Sequence, residues 1–218
     1  MERVIIYGTG RHAELTADLM QKFNIHKVIG FTVEKEYLKE FELNGFPVFL
    51  YEELVHSHPP DKFKMFIAVG PQQVNRAREE LYLDAKKKGY QFVNCICPSP
   101  YIDKGVILGE NVFIDQFCWV SSFVEIGNNT TLIGSKIGHH CKIEDNCFVS
   151  VGVLAGNVTL KKNVFIGLNS TIGPNIVLGE YTVVGMGCTI SKSTNPSSVY
   201  LNQSTKKQKF DSSKLKLL

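Results

Sequence analysis

From Leu108 onward, apolar residues recur every six positions, a period that neither an α-helix nor a meander of hairpins produces. Leu108, Ile114, Val120, Ile126 and Leu132 make a first run. After a five-residue step Ile137, Ile143 and Val149 resume it; a second irregularity intervenes, and Leu160, Ile166, Ile172, Leu178, Val184 and Ile190 then keep strict spacing. Two positions earlier in most hexads stands a small or apolar residue, such as Val112, Cys118, Cys141, Val158 or Cys188, and glycine often follows, as at Gly109, Gly127, Gly138, Gly167 and Gly185. A parallel β-helix accounts for this pattern. Each hexad forms one flat side and its turn, three hexads close a triangular coil of about eighteen residues, and the apolar position stacks inward on itself. Glycine and asparagine are expected at the corners.

Before Pro98 the pattern is different. Val4–Tyr7 is a short apolar strand running into Gly8-Thr9-Gly10, and residues 12–23 place Leu15, Leu19 and Phe23 on one helical face. Val28–Val33 and Pro47–Phe49 read as strands, and Met65–Val69 ends in Gly70. Helix-forming residues 74–88 stop at Gly89, and Phe92-Val93 opens a last strand. Alternation of this kind predicts a parallel Rossmann-like sheet with ligand space at the strand C-termini. The expected division is therefore an α/β domain over 1–97, a left-handed parallel β-helix of hexapeptide repeats over 98–200, and a lysine-rich tail over 201–218.

Composition narrows the function. A formal charge of +3, with much of the excess in Lys206, Lys207, Lys209, Lys214 and Lys216, is too weak a bias to argue for nucleic acid. No apolar run reaches membrane-spanning length, and Met1–Tyr7 lacks the order of a signal peptide, so a cytoplasmic protein is expected. The six cysteines form no CxxC pair; four occupy the small hexad position, which predicts packing residues and neither a metal site nor a catalytic thiol. Gly8-x-Gly10 argues poorly for NAD, since Ala13 stands at the third glycine position and no acidic residue falls cleanly at the end of the second strand.

The repeats resemble the left-handed β-helix hexapeptide acyltransferases. With the preceding glycine-rich βα domain, the chain looks like the bacterial sialic acid O-acetyltransferases and nucleotide-linked 4-amino-sugar N-acetyltransferases. The most specific stretches are Ile137-Gly138-His139-His140-Cys141-Lys142-Ile143 and Leu154-Ala155-Gly156-Asn157-Val158. The resemblance implies an acetyl-CoA-dependent transfer to a sugar or nucleotide-sugar acceptor, without metal, in a homotrimer whose site forms between subunits. It implies His139 as general base, a role suited to an imidazole titrating near neutrality. His140 stands where relatives carry Asp or Glu, which leaves three options: Glu144 or Asp145 orients the base, the base works unassisted, or His140 is itself the base. The Gly156 amide is implied as the oxyanion contact, and Leu168, Gly185 and Met186 as pantetheine contacts. Gly8, Gly10 and His12 are implied for a sugar-nucleotide diphosphate, with Asn75 and Arg76 replacing an absent contact after Gly70. Two alternatives stay open: an O-acetyltransferase acting on sialic acid or another non-nucleotide acceptor, and a non-catalytic β-helix binding protein.

Overall fold

In the computed structural model, the protein is described over residues 1–98, 101–207 and 209. The N-terminal part runs β1 (Arg3–Tyr7), α1 (Arg11–Lys22), β2 (Lys27–Val33), β3 (Glu42–Leu43), β4 (Phe46–Leu50), α2 (Leu54–Ser57), β5 (Lys64–Ile67) and α3 (Arg76–Lys87). The strands order as β3-β4-β2-β1-β5, with only β3 antiparallel to its neighbour. Alternate residues of the central strands face opposite layers: Val4 and Ile6 pack with Ala13, Ala17 and Met20, while Ile5 and Tyr7 pack with Leu54, Tyr82 and Ala85. The chain builds outward from β1 through β2 and β4, then returns to the other side of β1 with β5, leaving a crevice at the strand C-termini where the direction reverses.

Three expectations are corrected here. Leu15 is 43% exposed, because α1 buries the Ala13–Thr16–Ala17–Met20 stripe, whose small side chains let the helix approach the sheet. α3 starts at Arg76 and not at residue 74: Gln73, Val74 and Asn75 have φ of 52°, 56° and 65°, a left-handed turn that no right-handed helix can include. Phe92 makes only an isolated bridge to Met65, and the next strand, β6 (Cys95–Ile96), pairs with Phe113–Ile114 in the following domain's sheet.

Beyond it, two-residue strands, with two of three residues, stack in parallel as a triangular prism, the left-handed β-helix. The first face includes Glu125–Ile126, Lys142–Ile143 and Thr159–Leu160; the second includes Phe113–Ile114, Thr131–Ile133 and Phe148–Ser150; the third includes Trp119–Val120, Lys136–Ile137 and Val153–Leu154. The periodic residues Ile114 through Ile190 all point inward and are buried, as are all six cysteines. Truncating one of them, such as Ile143→Ala, is the kind of core change that costs about 2–5 kcal/mol.

The second irregularity resolves into another five-residue step, Val149 to Leu154, so Lys142 pairs with Thr159 only seventeen residues on. Both short steps fall between the second and third faces, where Ser135 and Gly152 fill the narrowed space. The corners divide the work of glycine and asparagine differently from expectation. Asparagine takes the left-handed conformation: Asn111, Asn129, Asn146 and Asn163 line the first corner, between the first and second faces, with φ of 52–63°. Gly138 is needed for proximity instead, since a Cβ there would lie 2.7 Å from the Ala155 carbonyl carbon on the next coil.

The two parts are docked through buried polar contacts. Arg78, 1% exposed, reaches from α3 to Thr131 Oγ1 and to the carbonyls of Asn146 and Cys147. Asn75 Nδ2 donates to the carbonyls of Asn163 and Val164, and Arg76 lies over the Tyr181 ring at 4.4 Å. Among the described residues, no helix is long and apolar enough to cross a membrane.

Candidate active site

The third corner, between the third and first faces, carries Phe123, His140, Asn157 and Asn175 in the left-handed conformation, one per coil. His139 precedes His140 at that corner, and both rings are exposed. The stacking of coils brings His139 onto Gly156: a Cβ built there would lie 2.6 Å from His139 Cε1 and 2.7 Å from Nε2. Only glycine leaves room for that ring. The Asn157 amide donates to the His139 carbonyl at 2.8 Å, and the Ala155 amide to Ile172, whereas the amide of Gly156 between them has no acceptor among the described residues. A fixed, unpaired N–H beside an exposed imidazole can meet negative charge developing where the imidazole removes a proton.

His139 Nδ1 lies 3.1 Å from His140 Nδ1, with the ring planes at 86°. Neither proposed carboxylate reaches the pair. Glu144 binds Lys161 Nζ at 2.8 Å and Asp145 accepts from the Asn128 amide; both stand at the first corner, one face away. His140 in turn packs on Phe123, ring centroids 4.7 Å apart.

The N-terminal crevice is a cavity of about 710 Å³ that gathers Gly8, Gly10 and His12 with Glu34, Gln73 and Glu80. Gly8 has φ of 114° and approaches Ala68 so closely that a Cβ would sit 3.1 Å from its carbonyl oxygen; Gly10 faces open space at the start of α1. The amides of Ala13 and Glu14 close back onto the Gly10 carbonyl. Burial, with the nearby Arg78 guanidinium adding to it, lowers the His12 pKa to about 4, so the ring is neutral at physiological pH and sits edge-on to Phe113. The Tyr7 hydroxyl is buried beside Glu34, and burial, with Glu34 adding to it, pushes it far above the ordinary phenol range. Glu34, directly after β2, is thus the acidic residue at that strand's end which the sequence reading missed. Asn75 and Arg76 do not line the cavity; the left-handed turn sends them to the β-helix, and Gln72 and Gln73 stand there instead.

Leu168 and Met186 are exposed at the second corner, between the second and third faces, where the Gly187 amide donates to the Leu168 carbonyl. Gly185 sits beside them, its amide bound to the Tyr200 carbonyl. Within one chain these residues are therefore not brought together with His139, which occupies another edge of the prism. The cavity is apart from His139 as well, because the N-terminal domain docks at the first corner and second face. Lys206, Lys207 and Lys209 are exposed; Lys214 and Lys216 lie outside the described residues. Among the described residues no group of three or more His, Cys, Asp or Glu comes together to hold a metal ion.

Fold and corner site together define a hexapeptide-repeat β-helix preceded by an α/β domain. Residues 3–85 match the PglD N-terminal domain family. PerB from Caulobacter crescentus, solved in complex with CoA and GDP-perosamine, is 25% identical over 90% of this chain and 92% of that one, with a TM-score of 0.80. The acetyltransferase domain of PglB from Neisseria gonorrhoeae FA1090 is 20% identical over 91% and 96% of the two chains, with the same TM-score of 0.80. Among curated proteins, acyl-(acyl-carrier-protein)–UDP-N-acetylglucosamine O-acyltransferase of Campylobacter concisus is 33% identical over 98 residues, or 41% of this chain. The match spans little more than a third, 36%, of that relative's length.

Proposed function

We propose that the chain is an acetyl-CoA-dependent acetyltransferase that N-acetylates a nucleotide-linked amino sugar destined for surface glycan. The observation that carries this reading is the exposed His139 ring lying on Gly156, with an unpaired amide beside it. His139 Nε2 takes a proton from the acceptor amine as its nitrogen attacks the thioester carbonyl. The Gly156 N–H meets the resulting oxyanion, and collapse expels the CoA thiolate, which receives the proton. No acyl-enzyme is required: the cysteine thiols are buried, and burial raises those of Cys118 and Cys147 to about 12.

The N-terminal cavity suits the nucleotide end of the acceptor. The Gly8–Arg11 turn at the start of α1 offers amides and a guanidinium to a diphosphate, while Glu34 and Glu80 can read hydroxyl and N–H donors of the nucleoside.

The active form is a homotrimer. Leu168, Gly185 and Met186 take the pantetheine arm on one copy, and His139 comes from the corner of the next, because a single prism separates them by a face. With acetyl-CoA as donor, the reaction belongs in the cytoplasm.

Thiol release from acetyl-CoA, followed across nucleotide-linked 3- and 4-amino sugars and sialic acid, tests the reading. Turnover with a nucleotide-linked amino sugar, abolished in His139→Ala, is expected. Turnover with sialic acid alone identifies an O-acetyltransferase, and acetyl-CoA binding without any transfer identifies a binding protein.

A further inference from the structure

We infer that His140 is a positioning residue that accepts the Nδ1 proton of His139 and so keeps His139 Nε2 bare. The inference deepens the reading of His139 as base and rests on it for its catalytic meaning, though its geometry stands by itself. Two neutral imidazoles whose Nδ1 atoms are 3.1 Å apart must share a single hydrogen between those atoms. If His140 donates it, His139 carries its own hydrogen on Nε2 and cannot take another there. If His139 donates it, Nε2 keeps its in-plane lone pair free, as a base requires, while Gly156 lies against the ring. Once His139 is protonated, both its nitrogens carry hydrogen, and the ring stays in place only if His140 accepts.

The surroundings hold His140 in that role. Its backbone φ of 57° and the hydrogen bond from its amide to the Ser122 carbonyl fix where the ring departs from the corner. Phe123, 68% exposed on the preceding coil, packs against its face. That solvent-exposed phenylalanine in a left-handed corner position is otherwise costly, since asparagine or glycine suits the backbone better. The charged groups on neighbouring elements are engaged elsewhere: Asp103 accepts from Ser122 Oγ, and Glu125 pairs with Lys142. Among the described residues the partner of His139 Nδ1 is thus another imidazole, which can donate as well as accept, where a carboxylate could only accept. Either ring can therefore donate, and the hydrogen is assigned to His139 as the major form.

The experiment is a long-range nitrogen–proton NMR spectrum of histidine side chains in the full-length protein at neutral pH. The chain has only six histidines, and His139→Ala and His140→Ala assign the pair. The expected signature is a His139 ring protonated on Nδ1 with an imine-type Nε2, as the major form. In His140→Leu the His139 signals should become those of mixed tautomers, and His140→Glu should restore a single Nδ1–H form. A ring that merely props the corner would give no such rescue. A His139 ring protonated on Nε2 as its major form overturns the inference, as does a His140→Leu spectrum identical to that of the unmodified protein. Because the measurement needs neither acceptor nor turnover, its failure is distinct from failure of the acetyltransferase reading.

Discussion

Arg78 Nη2 lies 3.0 Å from the Asn146 carbonyl oxygen, a hydrogen bond between the α/β domain and the inside edge of the β-helix. Among the described residues no carboxylate accompanies this guanidinium; its acceptors are two carbonyls, the Thr131 hydroxyl and Asn75 Oδ1, and burial lowers its pKa to about 10. It remains a cation at neutral pH. It satisfies the Asn146 carbonyl, to which no amide among the described residues donates, and adds a second donor to the Cys147 carbonyl, which already accepts from the Thr131 amide.

Arg78→Ala should therefore lower unfolding stability by about 3 kcal/mol, measured by urea titration, because the buried Asn146 carbonyl and Thr131 hydroxyl lose this partner and the side chain leaves a void. Arg78→Met should cost less, since it fills the volume and removes a buried charge. Arg78→Lys should rescue little, as one ammonium cannot reproduce the fork that spans Thr131 and Asn146. Equal losses in all three variants would contradict this account.

Gly156→Ala should leave the fold intact and damage the chemistry. The added methyl meets a side-chain ring that can swing away, so the thermal midpoint should change little while turnover falls on the order of a hundredfold. Gly138→Ala should do the reverse. Its methyl meets the backbone of Ala155, which cannot yield without parting two coils. Thermal melts alongside thiol release separate the two outcomes.

His12 predicts a pH dependence of stability. Its folded pKa, near 4, lies below the unfolded value of 6.5, so the unfolded chain takes up its proton first as pH falls. Stability contributed by the neutral ring is complete above 6.5, declines across the window from 6.5 to 4, and levels off below it. The contribution amounts to as much as about 3 kcal/mol. His12→Gln should flatten this part of the curve in denaturant titrations at stepped pH; an unchanged slope would refute the assignment.

Val74→Gly should stabilise the protein. A β-branched residue at φ 56° is strained by about 1–2 kcal/mol, partly offset by the greater freedom of glycine in the unfolded chain. A net gain of about 0.5–1 kcal/mol follows. Gln72 and Gln73, which this turn holds at the cavity, should then be less fixed, and acceptor KM should rise while kcat changes little.

Much of this architecture could be read before folding because a single period governs the C-terminal part: Ile114 through Ile190 stand where six-residue spacing puts them. The second short step was obscure because Leu154 restarts the count only five residues after Val149, with Gly152 in the small position. Asn111, Asn129, Asn146 and Asn163 did carry a legible signal, near-coil spacing of one residue type, but the hydrogen bonds of Asn111 to Ile67 and of the other three to α3 were not legible. Arg78 had no signal at all, since an arginine in a charged amphipathic helix reads as a solvated one. At the site, His139 and Gly156 are seventeen residues apart and meet only because one of the short coils lies between them. Which corner each residue occupies depends on cumulative register, and that sum is what a motif does not contain.

The two short rungs, at Gly134 and Val151, fall on adjacent storeys of the same edge. Full rungs are interchangeable: a stack made only of them could slip by one storey and find equivalent neighbours. The short pair works as a key, giving the asparagines a single alignment with α3 and fixing the height of His139 above that joint. A whole storey added past Tyr200 would lengthen the prism and leave the storeys below it in place. The same insertion between Asn111 and Asn163 would carry the base away from the domain it is measured against. Growth in this protein is thus free at one end and locked in the middle.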